Sequence, residues 1–327
     1  MTCLKTIRAF LAFYFSLLAG QANAALPNEP TGNGNPQGEP ENLTALDSLL
    51  REQESAFPDI VHDLGKQIAW HGDKHQTEYA IVYLHGFSAS RKEISPVTEL
   101  LADQLAANVY YARLKGHART ADAMAEASKE DWLHDTRFAY QIGKLIGKKV
   151  IVVGTSTGAT LGTWLATQPF AGDLHANIMV SPNFGIKRSS GELIRYGWGL
   201  QLAKLINGPY HSFTPQNQMH SDYWTERYPY EALVPMVQLV DQVLELDKTS
   251  ITVPQLIIYS PNDQVISVER LLEVSASMQN SDITLHEFEG SSDPGQHVLA
   301  GDACSPDSTE PMVKLMSDFI ASLEGSR

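Results

Sequence analysis

Two cysteines in 327 residues, Cys3 and Cys304, are too few for a disulfide framework. If Cys3 lies in a segment that is removed, Cys304 alone stays, so the fold rests on its core. Cys304 then reads as a small buried hydrophobe. Basic charge is also short, with 24 Lys and Arg against 38 Asp and Glu and a net charge of −14. Such a polyanion is a poor candidate for nucleic acid or anionic lipid surfaces. No apolar run is long enough to span a bilayer. No carboxylate-rich loop has calcium spacing and no glycine loop has phosphate-binding spacing. His71 and His75 are four apart, but Gly72 and Asp73 between them argue for a turn rather than a helix presenting zinc ligands. These absences predict no metal, no nucleic acid and no stable membrane anchor, and they leave the oligomeric state open.

What is present begins with an address. Lys5 and Arg8 precede an apolar run from Ala9 to Leu18, and Ala22-Asn23-Ala24 supplies small residues at −3 and −1. This is the pattern of a secretory signal peptide over residues 1–24, cleaved after Ala24. Cys3 precedes the run, so it is not placed for lipid attachment. Cleavage removes two basic and no acidic residues, taking the formal charge from −14 to −16. The mature chain is thus expected to be exported, to the periplasm or the medium.

Residues 25–58 read as an N-terminal extension. It is disordered to about Glu41, where Pro, Gly, Asn and Glu dominate, then helical from Leu43 to Glu54. The folded body is expected from Asp59. Strands are predicted at Lys66–Trp70, Tyr79–Leu84, Asn108–Ala112, Val150–Val153, Ala176–Val180, Gln255–Tyr259 and Thr284–Glu287. Helices are predicted at Glu93–Ala106, Trp132–Ile146, after Ser156, and at Ala232–Leu246, Val268–Ser277 and Pro311–Leu323. The alternation implies an α/β fold, a mostly parallel sheet with helices on both faces. It divides the body into a first core part, 59–183, an insertion, 184–230, and a second core part, 231–327. The insertion is rich in aromatics, among them Phe184, Tyr196, Trp198, Phe213, Trp224 and Tyr228, with Arg195 and Lys204 between them. It shows no strand pattern. Its place in the chain puts it over the sheet edge, as a roof for an acyl pocket.

The chemistry is concentrated in Lys149–Thr160, where an apolar β-branched run ends in Gly154-Thr155-Ser156-Thr157-Gly158 and a helical stretch follows. Strand, sharp turn and helix make Gly-x-Ser-x-Gly a nucleophile elbow, with Ser156 exposed at its apex. A serine hydroxyl needs a base, and the base needs an orienting acid. In this arrangement both come later, each after a strand, in the order acid then histidine. Asp263, after Tyr259, is the candidate acid and His297, after Glu287, the candidate base. Asp293, in the same loop as the histidine, is the second choice for the acid. The oxyanion donors are expected to be the backbone N–H groups of Thr157 and Phe87. His85 is expected to hold the Phe87 loop by a hydrogen bond rather than to transfer protons.

Leu84-His85-Gly86-Phe87, Arg113-Leu114-Lys115-Gly116-His117, Asp131-Trp132, the Ser156 elbow, Asp263 and His297 resemble, in that order, the α/β-hydrolase superfamily. The branch is similar to monoacylglycerol lipases, carboxylesterases and serine aminopeptidase-like enzymes, from Ile68 to the C-terminus. The resemblance implies an eight-stranded sheet, a lid inserted after the sixth strand and no cofactor. Lys115-Gly116-His117-Ala118 departs from the Pro-Gly-His-Gly frequent there. Relatives that act as dehalogenases or epoxide hydrolases place aspartate where Ser156 stands. The expected activity is hydrolysis of a small-molecule carboxylic ester, an acylglycerol or a short-to-medium acyl ester. A peptidase, with Glu192 or Glu226 holding a substrate amine, and a non-catalytic binding protein of the same fold are the alternatives.

Overall fold

The computed structural model describes residues 43–187, 194 and 196–325. The expected signal peptide and leader, and Glu192 and Arg195 of the insertion, lie outside them. Seven strands form one sheet: β1 (Gln67–Ala69), β2 (Thr77–Leu84), β3 (Asn108–Tyr111), β4 (Gly147–Thr155), β5 (Ala176–Val180), β8 (Gln255–Tyr259) and β9 (Ile283–Glu287). Their order is β1-β3-β2-β4-β5-β8-β9. β1 runs antiparallel to β3 and every other neighbour is parallel. The eighth strand implied by the resemblance is missing among the described residues. The chain ahead of β1 forms helix α1 (Leu43–Ser55) instead of another edge strand.

The β-branched run of β4 shows why the sheet is buried on both faces. Side chains alternate across a strand, so Val150 and Val152 enter one apolar cluster while Ile151 and Val153 enter the other. The first cluster is closed by α1, α3 (Lys129–Ile146), α4 (Thr157–Ala166), α7 (Leu233–Glu245) and α8 (Val268–Ser277). The second is closed by α2 (Val97–Leu105) and α9 (Thr309–Gly325). Helices on both faces of a mostly parallel sheet are the predicted fold class.

Boundaries moved where local chemistry outweighed periodicity. α3 starts at Lys129, not Trp132, because Ser128 and Asp131 form a reciprocal capping box (Asp131 N–H to Ser128 Oγ, 3.2 Å; Ser128 N–H to Asp131 Oδ2, 2.8 Å). α2 starts at Val97, not Glu93. Pro96 opens it, and a residue preceding proline is disfavoured in helical conformation, so 91–96 is a run of turns. The insertion does contain strands: β6 (Tyr210–Ser212), which follows helix α5 (Gly197–Asn207), and β7 (Arg227–Pro229), which follows helix α6 (Gln218–Tyr223), pair antiparallel. Three-residue strands are too short to carry a period of two.

The packed body begins at Leu43 rather than near Asp59. Leu46 and Leu50 of α1 are buried in the first cluster, and Asp47 accepts the Trp70 indole N–H at 3.2 Å. Glu54 makes the strongest tie. Arg113, whose side chain is 3% exposed, donates to both Glu54 oxygens (2.7 and 2.9 Å). Burial pushes the Glu54 carboxyl up. The Arg113 hydrogen bond and charge, with the Lys66 N–H, more than offset this and hold it below the usual range. The pair therefore contributes stability above the ordinary glutamate range, and loses it as pH falls through the depressed folded value. Glu54→Gln leaves Arg113 buried without its counter-charge. We expect it to cost about 3 kcal/mol of unfolding free energy at neutral pH, read by urea denaturation. A loss below about 0.5 kcal/mol would show that α1 is only a surface attachment.

Candidate active site

Ser156 stands between β4 and α4 with φ 51° and ψ −112°, a left-handed conformation that non-glycine residues rarely adopt. Neighbouring glycines make room for it. A Cβ on Gly154 would lie 2.6 Å from the Gly158 carbonyl oxygen, and one on Gly158 would lie 1.9 Å from that of Leu84. Both obstacles are backbone, which cannot swing aside. The turn is pinned from both ends, by the Ser156 N–H on the Val180 carbonyl (2.9 Å) and the Asn183 N–H on the Ser156 carbonyl (3.2 Å). Thr157, buried, is the first residue of α4, where the helix has no acceptor of its own for the N–H.

Asp263 follows β8 and is fully buried. Its Oδ2 lies 2.7 Å from His297 Nδ1, while its Oδ1 accepts the Val265 and Ile266 N–H groups (2.7 and 3.0 Å). Burial lowers the basicity of the His297 ring. The Asp263 charge and hydrogen bond, then Glu93 and Asp293, outweigh it, and the net direction is up. His297 and Ser156 open onto one cavity of about 830 Å³, with Phe87 also in its wall. Three of the five predicted site residues thus line this space, and a fourth, Asp263, sits behind it, bonded to His297. The fifth, Thr157, adjoins it through its neighbour Ser156.

Asp293, the second choice for the acid, has a different task. Its carboxylate accepts the N–H groups of His297 (2.9 Å), Val298 (3.0 Å) and Gly295 (3.1 Å), and the Gln216 amide (2.6 Å). Burial would raise its pKa, but these donors hold it below the usual range. It folds the histidine loop and takes no part in the ring's hydrogen bond to Asp263. His85 is buried. Its Nδ1 meets the Gly86 carbonyl (2.8 Å), and its Nε2 accepts the Leu114 N–H (3.1 Å). Burial lowers its pKa to about 4, so it is neutral. Cys304 is also buried, its thiol pushed up to about 12.

Sequence reasoning missed Glu93, a buried acid in the cavity wall that the sequence pattern makes only the first residue of a helix. Its only signal was an acid eight residues after His85, inside a loop that ends at Pro96. The insertion reaches the cavity through Leu202, Ile206, Phe213 and Tyr228. Trp198, expected in the roof, instead is 59% exposed and stacks on Tyr196. Among the described residues, no group of three or more His, Cys, Asp or Glu is arranged to hold a metal ion.

Residues 75–292 match the family described as serine aminopeptidase, S33. The chain belongs to that family. It is therefore a member of the α/β-hydrolase superfamily, as the resemblance implied. A search of curated protein sequences returns no match. Solved structures agree on the fold. One, reported for LipS and LipT, two metagenome-derived lipolytic enzymes, has a TM-score of 0.62 at 17% identity, covering 81% of this chain and 99% of its own. The monoacylglycerol lipase of Paleococcus ferrophilus gives 0.58 at 15%, covering 80% and 99%. A soluble variant of the Saccharomyces cerevisiae monoglyceride lipase, in complex with a substrate analogue, gives 0.58 at 11%, covering 79% and 92%.

The elbow makes a stability claim that is independent of chemistry. Gly158→Ala forces apart α4 and the end of β2, and we expect a loss on the order of 3 kcal/mol or an insoluble product. An unchanged melting temperature would mean that the two backbones are not held this close.

Proposed function

We propose that this hydrolase-family chain is a serine esterase for neutral carboxylic esters with an apolar acyl group, working through an acyl-enzyme. The observation that carries the reading is the meeting of the strained Ser156 turn and the His297–Asp263 pair on one largely apolar cavity. Ser156 Oγ attacks the ester carbonyl carbon while His297 Nε2 takes its proton, and Asp263 holds the ring through Nδ1. The carbonyl π electrons move to oxygen, and the N–H groups of Phe87 and Thr157 receive that oxyanion. Collapse breaks the bond to the alkoxy oxygen, which leaves with the proton from His297. Water then repeats the sequence and releases the acid and the free serine.

The family's name raises the peptidase alternative, which requires a free carboxylate for the substrate ammonium. The described cavity wall holds two carboxylates, and both are engaged. Asp293 accepts four donors, and Glu93 accepts the Gly86 N–H and the Tyr83 hydroxyl. Glu226 hydrogen-bonds the Ser221 hydroxyl. No Lys or Arg lines the described wall either, which favours a neutral substrate over an anionic one.

Ser156→Ala should abolish fluorophosphonate labelling and lower kcat on p-nitrophenyl esters by about 10⁴-fold or more, with the fold intact. Substantial remaining activity would remove Ser156 from the mechanism. In the parent, kcat/KM should climb by roughly fourfold per added methylene until the cavity is full, since each buried CH₂ contributes about 0.8 kcal/mol. Phe213→Ala should move the preferred length. Faster turnover of aminoacyl anilides than of any ester would transfer the chain to the peptidases. We also propose an exported mature chain starting at Ala25. Edman sequencing of the secreted or periplasmic product tests this, and an intact Met1 on a cytosolic product refutes it.

A further inference from the structure

Glu93 shares the cavity wall with Ser156 and His297, yet no step of the proposed reaction uses it. The turns between β2 and α2 fold it inward until it is 2% exposed. Its Oε2 accepts the Gly86 N–H at 2.7 Å and the Tyr83 hydroxyl at 3.0 Å, and the Tyr83 oxygen also meets Thr155 Oγ1 at 3.2 Å. A Cβ on Gly86 would lie 2.5 Å from Glu93 Oε1, so this glycine is what lets the carboxyl lie against the Phe87 loop. The titratable groups that face it are Tyr83 on β2, and His297 and Cys304 on the loops after β9. Asp263 and Asp293 face it only through His297 and Cys304. His297 alone among these can become a cation.

We propose that Glu93 is a positioning residue with two linked tasks: it fixes the Phe87 loop through the Gly86 N–H, and it is a second acidic partner that favours the charged form of His297. The proposal rests on the reading of His297 as the base for Ser156. When the serine proton reaches His297, the ring becomes an imidazolium in a site largely closed to water. Asp263 meets that charge directly at Nδ1, and Glu93 meets it through space from the cavity wall. Glu93 itself exchanges no proton with the substrate.

Its environment suits such a role. Burial drives the Glu93 carboxyl up to about 7, while the Gly86 and Tyr83 donors and the His297 charge pull the other way. A group balanced there is not a fixed anion opposing the oxyanion in the resting site. Its ionised form is favoured when the neighbouring ring carries a positive charge.

The isosteric Glu93→Gln separates the two. Its amide oxygen can still accept from Gly86 and Tyr83, but the negative charge is gone. Removing an anion beside His297 makes the ring less basic, so the acidic limb of the kcat/KM–pH profile should move to lower pH by about half a unit or more. The plateau rate should fall by roughly tenfold. A limb that stays where it was, whatever the plateau does, overturns the proposal. Tyr83→Phe removes one donor from Glu93 and delays its ionisation. It should shift the limb in the same direction by less, and it serves if Glu93→Gln does not fold. The His297 titration followed by NMR of ring-labelled histidine, assigned by its loss in His297→Gln, reads the same coupling without turnover. A lowered His297 pKa in Glu93→Gln supports the pairing even if the parent hydrolyses no ester, and an unchanged one refutes it even if the parent is a good esterase. Failure of the esterase reading would show itself separately, as an unlabelled Ser156 in the parent.

Discussion

Helix α4 begins so close to the end of β2 that there is no room for one methyl group between them, since a Cβ at Gly158 would meet the Leu84 carbonyl oxygen at 1.9 Å. That approach ties together elements far apart in the chain. β2 ends in Leu84 and leads through His85 and Gly86 into the Phe87 loop, while β4 ends in the Ser156 turn and leads into α4. The strain in the Ser156 backbone, on the order of 1–3 kcal/mol, is the cost of this closeness, and the sheet on either side sustains it. Val180 and Asn183 grip the turn from the β5 side, so it cannot relax without disturbing two neighbouring strands.

Three carboxyl groups surround the site, and their partners give them different chemical characters. Asp293 is surrounded by backbone N–H donors and is fixed as an anion whose charge is spent on loop geometry. Asp263 divides its oxygens, one for two backbone N–H groups and one for the His297 ring. Glu93 has only one N–H and one O–H donor, and burial pushes it up to about 7. Burial acts on Asp293 and Glu93 in the same direction. The number and kind of donors decides the outcome. A histidine loop fixed by one acid, oriented by a second and faced by a third has little freedom to turn its ring elsewhere.

The elbow was legible in the sequence because its demands are local: two glycines, a β-branched strand before and small residues after, all within about a dozen positions. Asp263 and His297 were legible because each follows a strand whose apolar run could be read. What escaped notice depends on partners distant in sequence. Helix α1 looks like an ordinary amphipathic stretch behind a polar leader, and only Arg113 and Trp70, 59 and 23 residues on from their partners, show that it belongs to the core. Glu93 follows Arg91 and Lys92 and so reads as surface, yet Pro96 delays the helix and the turns carry the acid inward. Arg91 is buried as well, paired with Asp63 at 2.7 Å, which no local pattern announces. The seventh and last strand of the sheet was read correctly, and the expected eighth came from the resemblance rather than from any apolar run.

The insertion is more than a cover with apolar filling, because its polar contacts fall on the loops that carry the site. The Thr225 N–H donates to the Ser88 carbonyl (2.7 Å), one residue beyond Phe87. Gln216 donates to Asp293 (2.6 Å), the acid that folds the His297 loop, and the Asn217 amide donates to the Ala303 carbonyl (2.7 Å) further along that loop. Phe87 itself packs edge-on against Tyr228 of β7, with ring centroids 5.1 Å apart. Each contact is worth about 1 kcal/mol, but they act on the two loops that border the Ser156 turn from opposite sides. α5 takes no part in these bonds, and it presents Leu205 (83% exposed) and Ile206 (70% exposed) outward while Leu202 and Ile206 also face the cavity. The insertion thus divides into a ribbon, β6 to β7, that is bonded to the site loops, and a helix, α5, that is tied through Lys204 to Glu231 and reaches the cavity with apolar side chains. The hydrogen bonds of the ribbon fix the register of the Phe87 and His297 loops against each other, a task that α5 does not share.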